Sequence, residues 1–149
     1  ILSREMFKFP DWCYRHLPSS YKFWIALWII WFITLWFLSS GKPQVESGPK
    51  LPHIDKVLHV GYFMIGGFCC ANFLYLKKSI QWSWKRIILV SFLVGSTVGA
   101  IDEFHQSINP TRSGNDFYDW FADAIGTLAG AYYCFFMWKR LEKETSQET

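Results

Sequence analysis

The sequence predicts an all-α bundle of four membrane-crossing helices. Three observations carry this: the composition, four long apolar runs with breakers between them, and the sidedness of the basic residues. The chain has 149 residues, half of them hydrophobic and a fifth aromatic, with nine Trp and fourteen Phe. A domain of this size has too little interior to hide that much apolar surface from water, whereas a bilayer absorbs it.

Crossing the hydrocarbon takes about 20 apolar residues in a helix, because unpaired backbone groups are too costly in lipid. The first run is 21–40, with the unbroken apolar block Phe23 to Leu38. A cleaved signal peptide would be shorter, less rich in Trp and followed by a small-residue site, so a retained anchor is expected. The second, third and fourth runs are 57–76, 85–104 and 117–138. Gly41-Lys42-Pro43, Lys77-Lys78-Ser79 and Asn109-Pro110-Thr111 separate them with turn chemistry.

Orientation follows from the lysines and arginines, which favour the cytoplasmic side. Eleven of the fifteen flank the first run's start, the second-to-third loop and the chain's end; Lys42, Lys50, Lys56 and Arg112 lie at the opposite ends. Both termini are therefore expected inside, with Trp82, Trp84 and Trp138 in an inner aromatic belt. Segment 1–20 reads as a cytoplasmic or interfacial arm, 21–138 as the membrane domain and 139–149 as a polar tail. The net charge of +3 includes no basic run interleaved with exposed aromatics, so nucleic-acid binding is not expected.

Seven acids gather at the outer ends: Glu46, Asp55, Asp102, Glu103, Asp116, Asp119 and Asp123. Asp55 and His59 share a helical face, as do Asp119 and Asp123. Gly95, Gly99, Asp102 and Gln106 form another stripe. Gly95-x-x-x-Gly99 and Gly126-x-x-x-Gly130 are small-residue motifs that let helices approach closely. Each of the last three runs thus has a smooth face that turns polar at its outer end, and together they are expected to enclose an outward-opening pocket. The first run, without charge, is expected to pack outside them. Helix-end acids can also sit in water and favour the N-terminal dipole. Asp123 and His59 lie inside their runs, however, where an ionisable group usually faces a cavity or a partner.

These residues carry a resemblance. Asp55-Lys56-x-x-His59, Asp102-Glu103-x-x-Gln106, Arg112-Ser113-Gly114-Asn115 and Asp119-Trp120-x-Ala122-Asp123-x-x-Gly126 resemble the VanZ-like family over about half the chain. Asp123 stands where many members carry Asn. The resemblance implies a small protein of the bacterial inner membrane, from a family whose founding member is associated with resistance to the glycopeptide teicoplanin. It implies no particular reaction.

The expected chemistry is the binding or modification of a lipid-linked or envelope molecule. His59 is the expected general acid or base, oriented by Asp55 or Asp119, with Asp102 or Glu103 as the second carboxylate. Lys56, Gln106, Arg112 and Asp123 are the expected binding residues, Arg112 holding a phosphate or carboxylate through its planar fork. His105 reads as a solvated loop histidine. His59, Glu103, His105 and Asp123 are metal-competent types, but neither HExxH nor CxxC spacing is present, so no metal or cofactor is expected. Cys13, Cys69, Cys70 and Cys134 read as small packing residues. The aromatic first run reads as lipid-exposed. Competing readings are a non-catalytic accessory subunit of a larger membrane complex, a homo-oligomer, and a proton-relaying transporter; the last lacks an internal repeat.

Overall fold

The computed structural model describes residues 17–41, 54–77, 79, 81–110 and 114–147. These form four helices: α1 (Tyr21–Ser40), α2 (Ile54–Leu76), α3 (Trp84–Ile108) and α4 (Phe117–Thr145). The all-helical expectation holds among the described residues. The interfacial arm, most of the first loop and Arg112 lie outside them. α1, α2 and α3 are long and apolar enough to cross a membrane. α4 is long but spends positions on Asp119, Asp123, Thr127 and the charges from Lys139 onward, so its composition does not qualify it in the same way. It runs past the expected boundary at 138 into the tail, where Lys139 donates to Glu142 at 2.7 Å and holds that carboxyl below its ordinary pKa.

The local chemistry sets the ends. The Trp24 indole N–H donates to the Pro18 carbonyl at 2.8 Å and pins the entry to α1. Asn115 takes φ 62°, a left-handed conformation that Asn tolerates better than most residues, just before α4 begins. Gly114 lies flat against the backbone of Gln106 and Ser107, where any side chain would collide. The third connection therefore folds back onto the end of α3.

α2 and α4 run parallel, and their side-chain partners follow one another in the same order along both helices. Lys56 meets Asp119, His59 meets Asp123, Asn72 meets Trp138 and Tyr75 meets Glu142. Between them, Gly126 rests on the Val60 backbone and Gly130 on Met64 and Phe68, while Gly67 abuts Thr127. α3 runs antiparallel to both, with Gly95 against Thr127 and Gly99 against Asp123. Both small-residue motifs thus sit in the helix interfaces they were expected to form. Backbone contact of this kind gives van der Waals attraction, the main force available between helices in lipid.

α1 packs on α2 and α3 and hardly touches α4. Its tryptophans are not uniformly lipid-facing, contrary to expectation. Trp24 and Trp31 are buried. The Trp31 indole lies over Gly66, donates to the Tyr62 carbonyl at 3.0 Å, and its own carbonyl accepts the Tyr62 hydroxyl at 2.7 Å. A glycine opposite a large indole makes a socket, which composition alone does not announce. Cys69, Cys70 and Cys134 are buried and free, Cys70 and Cys134 in the core with Ala71, Leu74 and Ala131, as packing residues would be.

Candidate functional site

The register places the starts of α2 and α4 and the end of α3 at one end of the bundle. The chain direction of a parallel pair and an antiparallel third helix permits nothing else. Three groups of polar residues assemble there.

The first is centred on Lys56. Its ammonium reaches Asp119 at 2.5 Å, Asp116 at 2.8 Å and Asp55 at 3.1 Å. Carboxylates at helix N-termini are favoured by the backbone dipole, and here two such termini lie side by side. Lys56 offsets the resulting repulsion and ties α2 to α4. The hydrogen bond from Lys56, with a second from the Tyr118 N–H, holds the Asp116 carboxyl below its ordinary pKa. Lys56, expected as a binding residue, is thus held among three carboxylates.

The second group is built on His59, whose Nδ1 lies 2.8 Å from the Asp123 Oδ1. Asp123 is wholly buried, and its other oxygen, packed against Gly99, has no hydrogen-bond partner. A carboxylate in this position accepts Nδ1–H and fixes the ring, leaving Nε2 as the nitrogen available for proton exchange. Asp119 lies 4.0 Å from that Nε2. The residue that orients His59 is therefore Asp123, expected only as a binding residue, and not Asp55, which turns to Lys56. The i, i+4 spacing of Asp55 and His59 was legible, but a residue on the facing helix won the contact.

The third group closes the far side. Asp102 accepts from the Gln106 side-chain amide at 2.8 Å, so the pair predicted on one stripe is in contact. Glu103 is buried; its Oε2 accepts the Asp116 N–H at 2.8 Å, while Oε1 has no partner. Its visible work is to satisfy a backbone donor ahead of α4 and hold that helix start against α3. Burying a carboxylate oxygen without a donor costs about 1–3 kcal/mol. Two such oxygens at one helix-bundle end are the kind of expense that functional sites carry.

A groove of about 450 Å³ opens beside these residues, lined by the ends of α1, α2 and α3. His59, Asp55, Asp102 and Gln106 form its polar side; Leu35, Leu38, Val57, Leu58, Phe63 and Ile65 form its apolar side. Asp119, Asp123 and Glu103 stand behind it and not in its wall. Sequence reasoning expected the pocket among α2, α3 and α4 with α1 outside; the groove instead takes Leu35, Leu38 and Ser39 from α1 and no residue from α4. The signal was Gly61, a glycine in an apolar helix with no small residue four positions away. A side chain built there would meet nothing.

His105 is not a solvated loop residue. It lies within α3, stacks on Trp36 at 3.9 Å between ring centroids, and its Nδ1 is 3.2 Å from the Ser39 hydroxyl. It fastens α1 to α3. Among the described residues no group of three or more His, Cys, Asp or Glu has the arrangement of a metal site. No family model, curated protein or solved structure matches the chain.

Proposed function

We propose that the chain is a multi-pass, VanZ-like protein of the bacterial cytoplasmic membrane that binds or modifies an envelope or lipid-linked molecule at its outer face. α4 is its fourth crossing and both termini are cytoplasmic. The parallel contact of α4 with α2 from Lys56 to Tyr75 supports the fourth crossing, and the positive-inside distribution of Lys and Arg supports the orientation.

The observation that carries this reading is the His59–Asp123 pair, held inside the bundle and facing a groove that is apolar on one side. A carboxylate on Nδ1 leaves Nε2 to take a proton from, or return one to, a group lying in the groove. Asp119 steadies the positive charge that forms on the ring. Asp102 and Gln106 offer an acceptor and a donor to the same occupant. Lys56 and Glu103 hold the walls in register. The family association with teicoplanin resistance fits this location, since glycopeptides act on the outer side of the membrane.

Two experiments test the reading. Single-cysteine variants at positions 78 and 112 should label from the cytoplasmic and outer sides respectively; the reverse pattern overturns the orientation. His59→Gln, Glu103→Gln and Arg112→Ala should each be compared with the unsubstituted protein for teicoplanin susceptibility of the expressing cells, with folding checked by thermal unfolding in mild detergent. His59→Gln is expected to abolish the effect in a folded protein. Unchanged susceptibility in all three folded variants removes the site from consideration.

A further inference from the structure

The charge and shape of the groove specify its occupant more narrowly than its location does. We propose that it takes a membrane lipid with an ammonium-bearing head group, its acyl chain on the α1–α2 side and its ammonium at Asp102. This deepens the functional reading and rests on the groove being the mouth of that site.

Among the described residues that line the groove are two carboxylates, one imidazole and no Lys or Arg. Asp102 is 4% exposed and lines the groove, and the bond it accepts from Gln106 occupies only one of its oxygens. A carboxylate so nearly removed from water favours a cation that can donate to it. The fields of Asp119, Asp123 and Glu103 behind the wall add to the same sign. The nearest described cation, Lys56, is neutralised by three carboxylates and is not in the wall. Among the described lining residues only His59 can carry positive charge, and it faces Asp119 and Asp123, so the two wall carboxylates favour a cationic head over an anionic one.

The apolar side has the right direction for a chain. From His59 to Ile65 the wall follows seven residues of α2, about 9 Å of helix, running from the polar end toward the middle of the bundle. Val57, Leu58 and Ile65 are exposed, as is Leu38 across the gap on α1. Gly61 sits between them and leaves the space open. The groove is thus accessible sideways from the bilayer, so a lipid enters without leaving the membrane.

The test compares three lipids of identical acyl chains: phosphatidylethanolamine, phosphatidylglycerol and diacylglycerol. Each is offered to the purified full chain in nanodiscs, and the lipid retained on release is measured by native mass spectrometry. The ammonium lipid should be retained about tenfold over the other two, the value of one charge-assisted hydrogen bond. Asp102→Asn keeps the size and the bond from Gln106 but should bring the three lipids level. Gly61→Leu fills the groove and should lower retention of all three, while its unfolding temperature stays at or above that of the unsubstituted protein. Equal or better retention of the anionic lipid, retention of none, or a Gly61→Leu variant that binds normally overturns the proposal. His59→Gln separates the two readings. If it keeps lipid preference and the cells are unaffected, proton transfer fails and the ligand class stands; if the cells lose the phenotype while no lipid preference exists, the reverse holds.

Discussion

The two seams of α2 make opposite use of glycine. On the α4 side, Gly126 and Gly130 bring backbone against backbone, and the seam is closed from Lys56 to Tyr75. On the α1 side, Gly66 receives the Trp31 ring, but one turn or so nearer the polar end Gly61 faces open space and the seam parts into the groove. A glycine in a membrane helix therefore says only that a side chain is missing. Whether the vacancy is filled by a neighbouring backbone, by an indole or by a ligand depends on what faces it.

The comparison can be broken most severely at Gly126. Gly126→Leu has to push the Val60 backbone aside, which cannot yield as a flexible side chain would. The expected loss is about 3 kcal/mol or more, read as a collapsed unfolding transition in a denaturing-detergent titration. An unaltered midpoint would mean that α2 and α4 are not in contact.

Asp123 gives the next largest effect. Asp123→Ala removes the acceptor on His59 Nδ1 inside a closed seam and is expected to cost about 1–3 kcal/mol. Asp123→Asn keeps an acceptor there and should recover most of that stability while weakening the proton transfer proposed for His59. If Asn and Ala variants unfold alike, the His59–Asp123 bond contributes nothing to holding the site.

A smaller effect is expected with acid. The Asp116 carboxyl is held below its ordinary value of 3.8 by Lys56. A carboxylate whose folded-state pKa is depressed adds stability that is fully present above its unfolded value and is lost as pH falls through the folded one. The grip of Lys56 on the start of α4 should therefore weaken below about pH 4. Hydrogen exchange at the first turn of α4 should then rise before exchange in the glycine seam does. Because the Asp116 side chain is partly exposed, high salt should blunt the difference.

The smallest effect sharpens the contrast. Gly61→Leu adds a side chain where no atom stands in the way and improves helix propensity by about 0.8 kcal/mol, so stability should hold or rise slightly. The same substitution at Gly61 and at Gly126 thus has opposite consequences.

Much of the architecture was legible. The apolar runs located the helix starts within three residues, although α3 and α4 run past their expected ends at 104 and 138, and the two small-residue motifs marked the seams because close backbone approach admits nothing larger. The convergence of Asp102, Gln106, Asp119, Asp123, Lys56 and His59 was legible too, since helical periodicity and alternating direction carry them to one end. Division of labour among those residues was not. Spacing within a helix offered Asp55 to His59 and left Lys56 free, yet contacts between helices gave His59 to Asp123 and Lys56 to three carboxylates. Trp24, Trp31 and His105 looked like lipid-facing or solvated residues until the faces of α1, α2 and α3 were matched.

The sequence by itself determined the helices and the face of the bundle at which the charges gather. Both follow from short-range physics: the length of an apolar run, the period of a helix and the cost of charge in hydrocarbon. Only the tertiary structure decided which carboxylate holds the imidazole and which glycine leaves a gap, because those depend on the rotation and register of one helix against another. Many weak contacts spread along the whole interface set that rotation, and no single motif encodes it.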